Sequence, residues 1–185
     1  MAVIKQNNYH DEQIKENIQK MRAVLDQLPL FCKTFFRGIE SYTSARTRLA
    51  YAYDIRLFFE YLHEQNAICA KMEIKEFPLS LLDELTRLDI EEYLEYMSLY
   101  QKDGKDISNS ERGKARKLAA LRTFYNYFYQ SELIKNNPAA LVPLPKLHDK
   151  EIIRLEPNEV AILLDQVEDG TKLTPKELEY HKKTK

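Results

Sequence analysis

Apolar residues recur along most of this chain at the three-and-four spacing of a helix face. Between His10 and Gln27, Ile14, Ile18, Met21 and Leu25 fall on one stripe and predict an amphipathic helix. Pro29 suits the first turn of a second helix, LPLFCKTFFRGIE, which ends near Gly38. Thr43 or Ser44 then caps a long third helix. In it Tyr51, Ile55, Phe58, Phe59 and Leu62 share one face, and Arg46, Ala50 and Tyr53 the other. After a mixed stretch broken at Pro78, Thr86 and Asp89 form a capping pair for a helix striped with Ile90, Tyr93, Leu94 and Met97. QKDGKDISNS reads as a polar loop, and Ser108 with Glu111 as the capping box of a helix running to about Leu133. That helix carries Leu118, Leu121, Tyr125 and Tyr129 as its inward stripe, with Phe128 at the edge. Arg112, Arg116, Ala119 and Thr123 lie on its far side.

KNNPAALVPLPKLHDK holds three prolines and no period, the mark of an exit from a domain into a linker. A short extended piece, a helix and a further helix opened by Thr174 and Pro175 follow. Every segment assigned before the linker is helical, so the fold class expected is all-α, a compact helical bundle. The expected organisation is an N-terminal helix over 1–27, the bundle over 28–142, a linker over 143–150 and a short extension over 151–185. The last helix has barely begun at Lys185, as expected of a fragment of a longer protein.

Composition narrows the function classes. Hydrophobic residues make up 44% and charged residues 31%, as in water-soluble domains. No apolar run is long enough to span a bilayer, and MAVIKQNNYH has no apolar signal region. These features lead to the expectation of a cytoplasmic protein with no membrane partner and no small-molecule substrate. Cys32 and Cys69 read as small buried hydrophobes rather than a disulfide or zinc pair. His10, His63 and His148 have no companions at metal-binding or acid–base spacing, so neither cofactor nor metal is expected.

A net charge of −1 argues against a polyanionic partner only until its distribution is considered. Residues 73–106 carry ten acids against four bases, whereas residues 108–122 carry five bases against one acid, Glu111. Residues 41–56 hold Arg46, Arg48 and Arg56 against Asp54. Local sign governs how a surface meets a polyanion. Arginines followed by small residues on an acid-free face suit a helix seated in a major groove about 12 Å wide. A guanidinium fork can serve a phosphate or a guanine edge. Lys117 lies between the faces as a backbone contact. Arg122, close to the inward stripe, suits an internal acid or carbonyl. A solvated basic face on a helical protein-interaction module is the alternative.

Several stretches resemble the tyrosine recombinases, the phage-integrase and Xer-like family. TSARTRLAYAYDIRLFFEYL is similar to the second helix of their core-binding domain, through Ser44, Thr47, Ala50, Tyr51, Asp54, Phe58 and Leu62. LTRLDIEEYLEYM resembles the third helix, and KARKLAALRTFYNYFYQSELIKNNPAALVPLPK the fourth with its Asn-Pro-Ala and Pro-Lys exit. LEPNEVAILLDQ looks like the opening of the catalytic domain, so the likeness runs from about Leu28 to Gln166. The resemblance implies a SAM-like core-binding domain that closes on one side of double-stranded DNA at a recombination core site. It implies that Arg46, Thr47, Tyr53, Arg112, Arg116 and Lys117 meet the duplex, and Arg56, Lys114 and Thr123 on the same two helices complete the expected DNA-binding set. It also implies that residues 28–40, with Phe31, Phe35 and Phe36, touch a sister protomer in a tetramer, unless those rings pack inside. The family cuts DNA with a tyrosine nucleophile supported by arginines, a lysine and histidines. Beyond the linker the chain offers only Arg154, Tyr180 and His181, in none of the family's motifs, so no catalytic residue carries over and this stretch is expected to be inactive alone.

Overall fold

The computed structural model describes residues 8–146, 154, 156–169, 173–174 and 177–178. The chain divides into two compact units, Met1–Leu147 and His148–Lys185. The first is built on α1 (Asn8–Leu25), α2 (Leu30–Gly38), α3 (Ala45–Gln65), α4 (Leu81–Glu84), α5 (Arg87–Tyr96), α6 (Glu111–Gln130) and α7 (Pro138–Leu141). Short 3₁₀ turns at Glu40–Tyr42, Cys69–Lys71 and Ile74–Glu76 complete the connections. No helix among the described residues is long and apolar enough to cross a membrane.

Caps fix where these helices begin. Ser44 accepts the Thr47 amide at the start of α3, and Thr86 and Asp89 close a capping box at the start of α5. At α6 the cap is Ser110, whose hydroxyl accepts the Gly113 amide at 3.3 Å, and not the expected Ser108. The reason lies just upstream. The expected loop is a hairpin, β1 (Tyr100–Lys102) antiparallel to β2 (Lys105–Ile107), with Tyr100 opposite Ile107. Ser108 is therefore spent leaving a strand. Asp103 and Gly104 make the turn with φ of 51° and 71°, the left-handed pair that joins two strands tightly. Helix α6 ends at Gln130, and Glu132 at φ 55° turns the chain so that the Leu133 amide reaches the Phe128 carbonyl.

The interior is an aromatic cluster shared by α2, α3 and α6. Phe124 stands at its centre, with ring centroids 5.1 Å from Phe35, 5.1 Å from Phe128 and 6.1 Å from Phe59. Phe31 reaches Phe59 at 6.0 Å and Phe128 at 5.7 Å. Edge-to-face angles dominate, the arrangement that the ring quadrupole favours. This cluster turns α6 so that Phe124 and Phe128 are buried while Tyr129, expected on the inward stripe, is 49% exposed. Helix α1 packs along α3 and belongs to the first unit, burying Met21, Val24 and Leu25; its expected stripe fades upstream, where Ile14 is exposed. At Gly38 the end of α2 comes so near α6 that a Cβ would fall 2.3 Å from the Tyr127 ring.

Two polar ties hold the chain beyond α6. Arg122 donates to the carbonyls of Ala139, at 3.1 Å, and Val142, the internal role its place beside the stripe suggested. Asp83 accepts the amides of Lys135 and Asn136 at 2.7 and 2.9 Å. In the second unit α8 spans Pro157–Asp169, and Thr174 and Glu177 cap the next helical turn. The extended piece expected near residues 151–156 and most of the last helix lie outside the described residues.

Candidate nucleic-acid interface

Helices α3 and α6 pack together, and the side chains expected to meet DNA divide by what already holds them. Arg46, in the first turn of α3, and Arg112, in the first turn of α6, are exposed and make no ion pair with the described residues. Ala119 is exposed further along α6, a small side chain beside this basic rim. The Thr123 hydroxyl turns back to the Ala119 carbonyl at 2.9 Å, and the Thr47 hydroxyl lies 2.9 Å from Ser44 Oγ. Both threonines are half-buried and work within their own helices.

Other expected contacts have partners inside the protein. Arg56 is half-buried, with Nε 3.4 Å from Glu60, Nη1 3.5 Å from Gln27 and its guanidinium carbon 5.3 Å from the centroid of the exposed Tyr53 ring. Glu60 also takes Lys102 from the hairpin at 2.5 Å. The Lys114 side chain is 15% exposed and lies 3.3 Å from Glu111. Arg48, counted with the basic cluster on sequence, is buried and paired with Glu40 at 2.8 Å. Phe35 and Phe36 are buried in the unit's own core and Phe31 is half-buried against it. The packing alternative therefore describes Phe35 and Phe36, because a side chain filling its own core has no surface left to offer a sister protomer.

Arg116 holds the most informative position. Its guanidinium grips Asp54 on α3 with both terminal nitrogens, Nη1 to Oδ2 and Nη2 to Oδ1 at 2.8 Å. The Asp54 side chain is 3% exposed and that of Arg116 51%, so the acid is the buried end of the bridge and the guanidinium its surface end. Burial pushes the Asp54 carboxyl above the ordinary carboxylate range, while Arg116 and then Lys117 oppose that shift. Lys117 is half-buried and donates to Asn109 Oδ1 at 2.7 Å. Burial depresses its ammonium, and Asp54 counteracts this. Asn109 is itself tied twice to the Met97 carbonyl at the end of α5, through its amide at 3.2 Å and its side chain at 3.0 Å. One acid thus faces two bases, so Asp54, Arg116 and Lys117 together keep one net positive charge.

Sequence reasoning turned Arg116 outward and missed its partner. Asp54 was legible only as the single acid in a basic stretch and as part of the family motif; nothing in the chain linked it to a residue 62 positions away. Close by in electrostatic terms is Tyr93, whose buried hydroxyl has no hydrogen-bond partner among the described residues; burial first, then the Asp54 charge, push it well up.

The chain is 30% identical over 132 residues to a tyrosine recombinase XerC of Caldanaerobacter subterraneus, a match covering 68% of this chain and 36% of that protein. It is 29% identical over 127 residues to a tyrosine recombinase XerC of Leptospira interrogans, covering 69% and 35%. A tyrosine recombinase XerC of Anoxybacillus flavithermus is 30% identical over 125 residues, covering 68% and 35%. The matches span about a third of the length of these curated relatives. No family model matches the chain, and neither does any solved structure.

Proposed function

The chain belongs to the tyrosine recombinase family, and from that premise we propose that it is an N-terminal part of such a protein and that its helical unit is a core-binding domain for double-stranded DNA. Residues 28–142 recognise a recombination core site in a sequence-specific way, and residues 143–150 lead to the start of a catalytic domain over 151–185. The whole protein is a site-specific recombinase that breaks and rejoins DNA, with sister protomers gathered on the duplex. This stretch brings DNA recognition and none of the strand-cutting residues.

The observation that carries this reading is the pair of helix openings, each offering an exposed arginine, Arg46 and Arg112, with no ion pair among the described residues and small side chains nearby in its helix. Both arginines act on phosphates or base edges in neighbouring stretches of groove. Arg116 contributes without leaving Asp54. Stranding a buried carboxylate costs on the order of 3 kcal/mol, which a base contact of roughly 1–3 kcal/mol does not clearly recover. Lys117 supplies charge from a fixed seat on Asn109.

The test is a titration of fluorescent duplex at several salt concentrations. Log affinity should fall linearly with log salt, as it does when lysines and arginines displace condensed counterions. Duplex binding that ignores salt, or self-association with no affinity for duplex, would favour the protein-interaction module and reject this reading.

A further inference from the structure

Among the cations expected at the interface, Arg116 is the one held through two bonds to a buried carboxylate, a partner that cannot itself reach a ligand. The Asp54 carboxylate lies inside the bundle and is bonded through both oxygens, one to each terminal nitrogen of the fork. A guanidinium has five N–H donors. Two are engaged by Asp54, and the other three have no side-chain acceptor among the described residues, on a side chain that is 51% exposed. Two bonds in a plane fix the distance and also the tilt of the fork. The pair is neutral, so it adds little to a nonspecific attraction for phosphates, which follows net charge.

We propose that Asp54 is a positioning residue for DNA recognition: from inside the bundle it holds the Arg116 guanidinium at one place on the α3–α6 seam, where it addresses a single acceptor edge instead of ranging along the backbone. The inference rests on the DNA-binding reading above and adds to it the division of labour within the basic face. Arg46 and Arg112 supply charge, and Arg116 supplies discrimination.

The consequence runs against the ordinary effect of damaging an interface. Asp54→Asn removes the negative charge that faces Arg116 and Lys117 and loosens the fork. Binding to a mixed-sequence duplex should therefore strengthen several-fold at low salt, with a salt slope steeper by about one unit. Preference for duplexes selected by the parent chain from a random pool should fall roughly tenfold. Asp54→Glu keeps the charge but displaces the carboxylate by one methylene, so the slope should stay parental while the preference falls. Together the two variants separate charge from position, and Asp54→Glu carries the test if Asp54→Asn does not fold. In the absence of DNA, the Arg116 guanidinium NMR signals should be resolved in the parent and averaged in Asp54→Asn. Folded variants that keep the parental preference would overturn the proposal, because Asp54 and Arg116 would then be a brace between two helices. A parent chain without salt-dependent duplex binding would instead reject the underlying reading.

Discussion

The two sides of α6 hold the bundle together by opposite means. Inward, Phe124 and Phe128 meet rings from α2 and α3 in a cluster where each ring touches several others. Outward, at the seam with α3, one carboxylate serves one guanidinium and one asparagine holds one ammonium. Apolar packing is non-directional and shared, so its cost on truncation depends on the volume removed. The seam is directional and unshared, so its cost depends on which member is left without a partner. The interior therefore supports the fold, and the seam can support recognition by exact placement of a few donors.

The strongest way to break the comparison is at Phe124. Replacement by Ala should cost about 3–5 kcal/mol of unfolding free energy, measured by chemical denaturation, since Phe124 is fully buried at the centre of the cluster. A loss near 1 kcal/mol would mean that the aromatic interior collapses around the gap.

At the seam the two partners should behave unequally. Arg116→Ala strands the Asp54 carboxyl and should cost on the order of 3 kcal/mol at neutral pH. Asp54→Asn leaves a half-exposed guanidinium that water can satisfy and should cost less than about 1 kcal/mol. The pH dependence sharpens the contrast. The folded Asp54 carboxyl is already raised by burial, and Arg116 is the larger of the two groups opposing that rise. Without Arg116 it rises further, so the folded state binds the proton more tightly than the unfolded chain does. The stability of Arg116→Ala should therefore be retained near and below the ordinary aspartate range, about pH 4, and decline as pH climbs through the elevated folded value. Asp54→Asn/Arg116→Ala should lack that decline. Equal losses for the two single variants, with no pH dependence, would place the seam in the same class as the interior.

Gly38→Ala tests the interior from its edge. The added Cβ meets the Tyr127 ring, part of the same aromatic assembly, and should cost about 1–3 kcal/mol through overpacking. A stabilised variant would show that the α2–α6 approach is slack.

What the chain disclosed in advance follows the same division. Helices α1, α2, α3, α5 and α6 were legible because apolar period and caps are local, and Ser44 and the Thr86–Asp89 box stood where expected. The hairpin was missed although Asp103-Gly104 announces such a turn, because its flanking strands are three residues each and polar. Tyr129 was misplaced because the wheel weighs all apolar residues alike, whereas the cluster around Phe124 chose the face. The basic side was legible as a set of charges but not as partners. Arg116 with Asp54 depends on packing between helices 62 residues apart, and Lys117 with Asn109 on how the loop before α6 is tied back to the end of α5 at Met97. Arg122 is the exception, placed inside by its angle on the helix alone.

The central claim is that the face carrying Arg46 and Arg112 is the one that meets DNA. It is tested most directly by comparing the salt slope of duplex binding in Arg46→Ala/Arg112→Ala with that in Lys75→Ala/Lys105→Ala, a control that removes two exposed bases from the acidic span. The first variant should keep its stability to within about 0.5 kcal/mol and lose about 1.8 units of slope, near 0.9 for each phosphate contact removed. The control should keep the parental slope. Equal slopes for the two variants, or a loss confined to the control, would contradict the account.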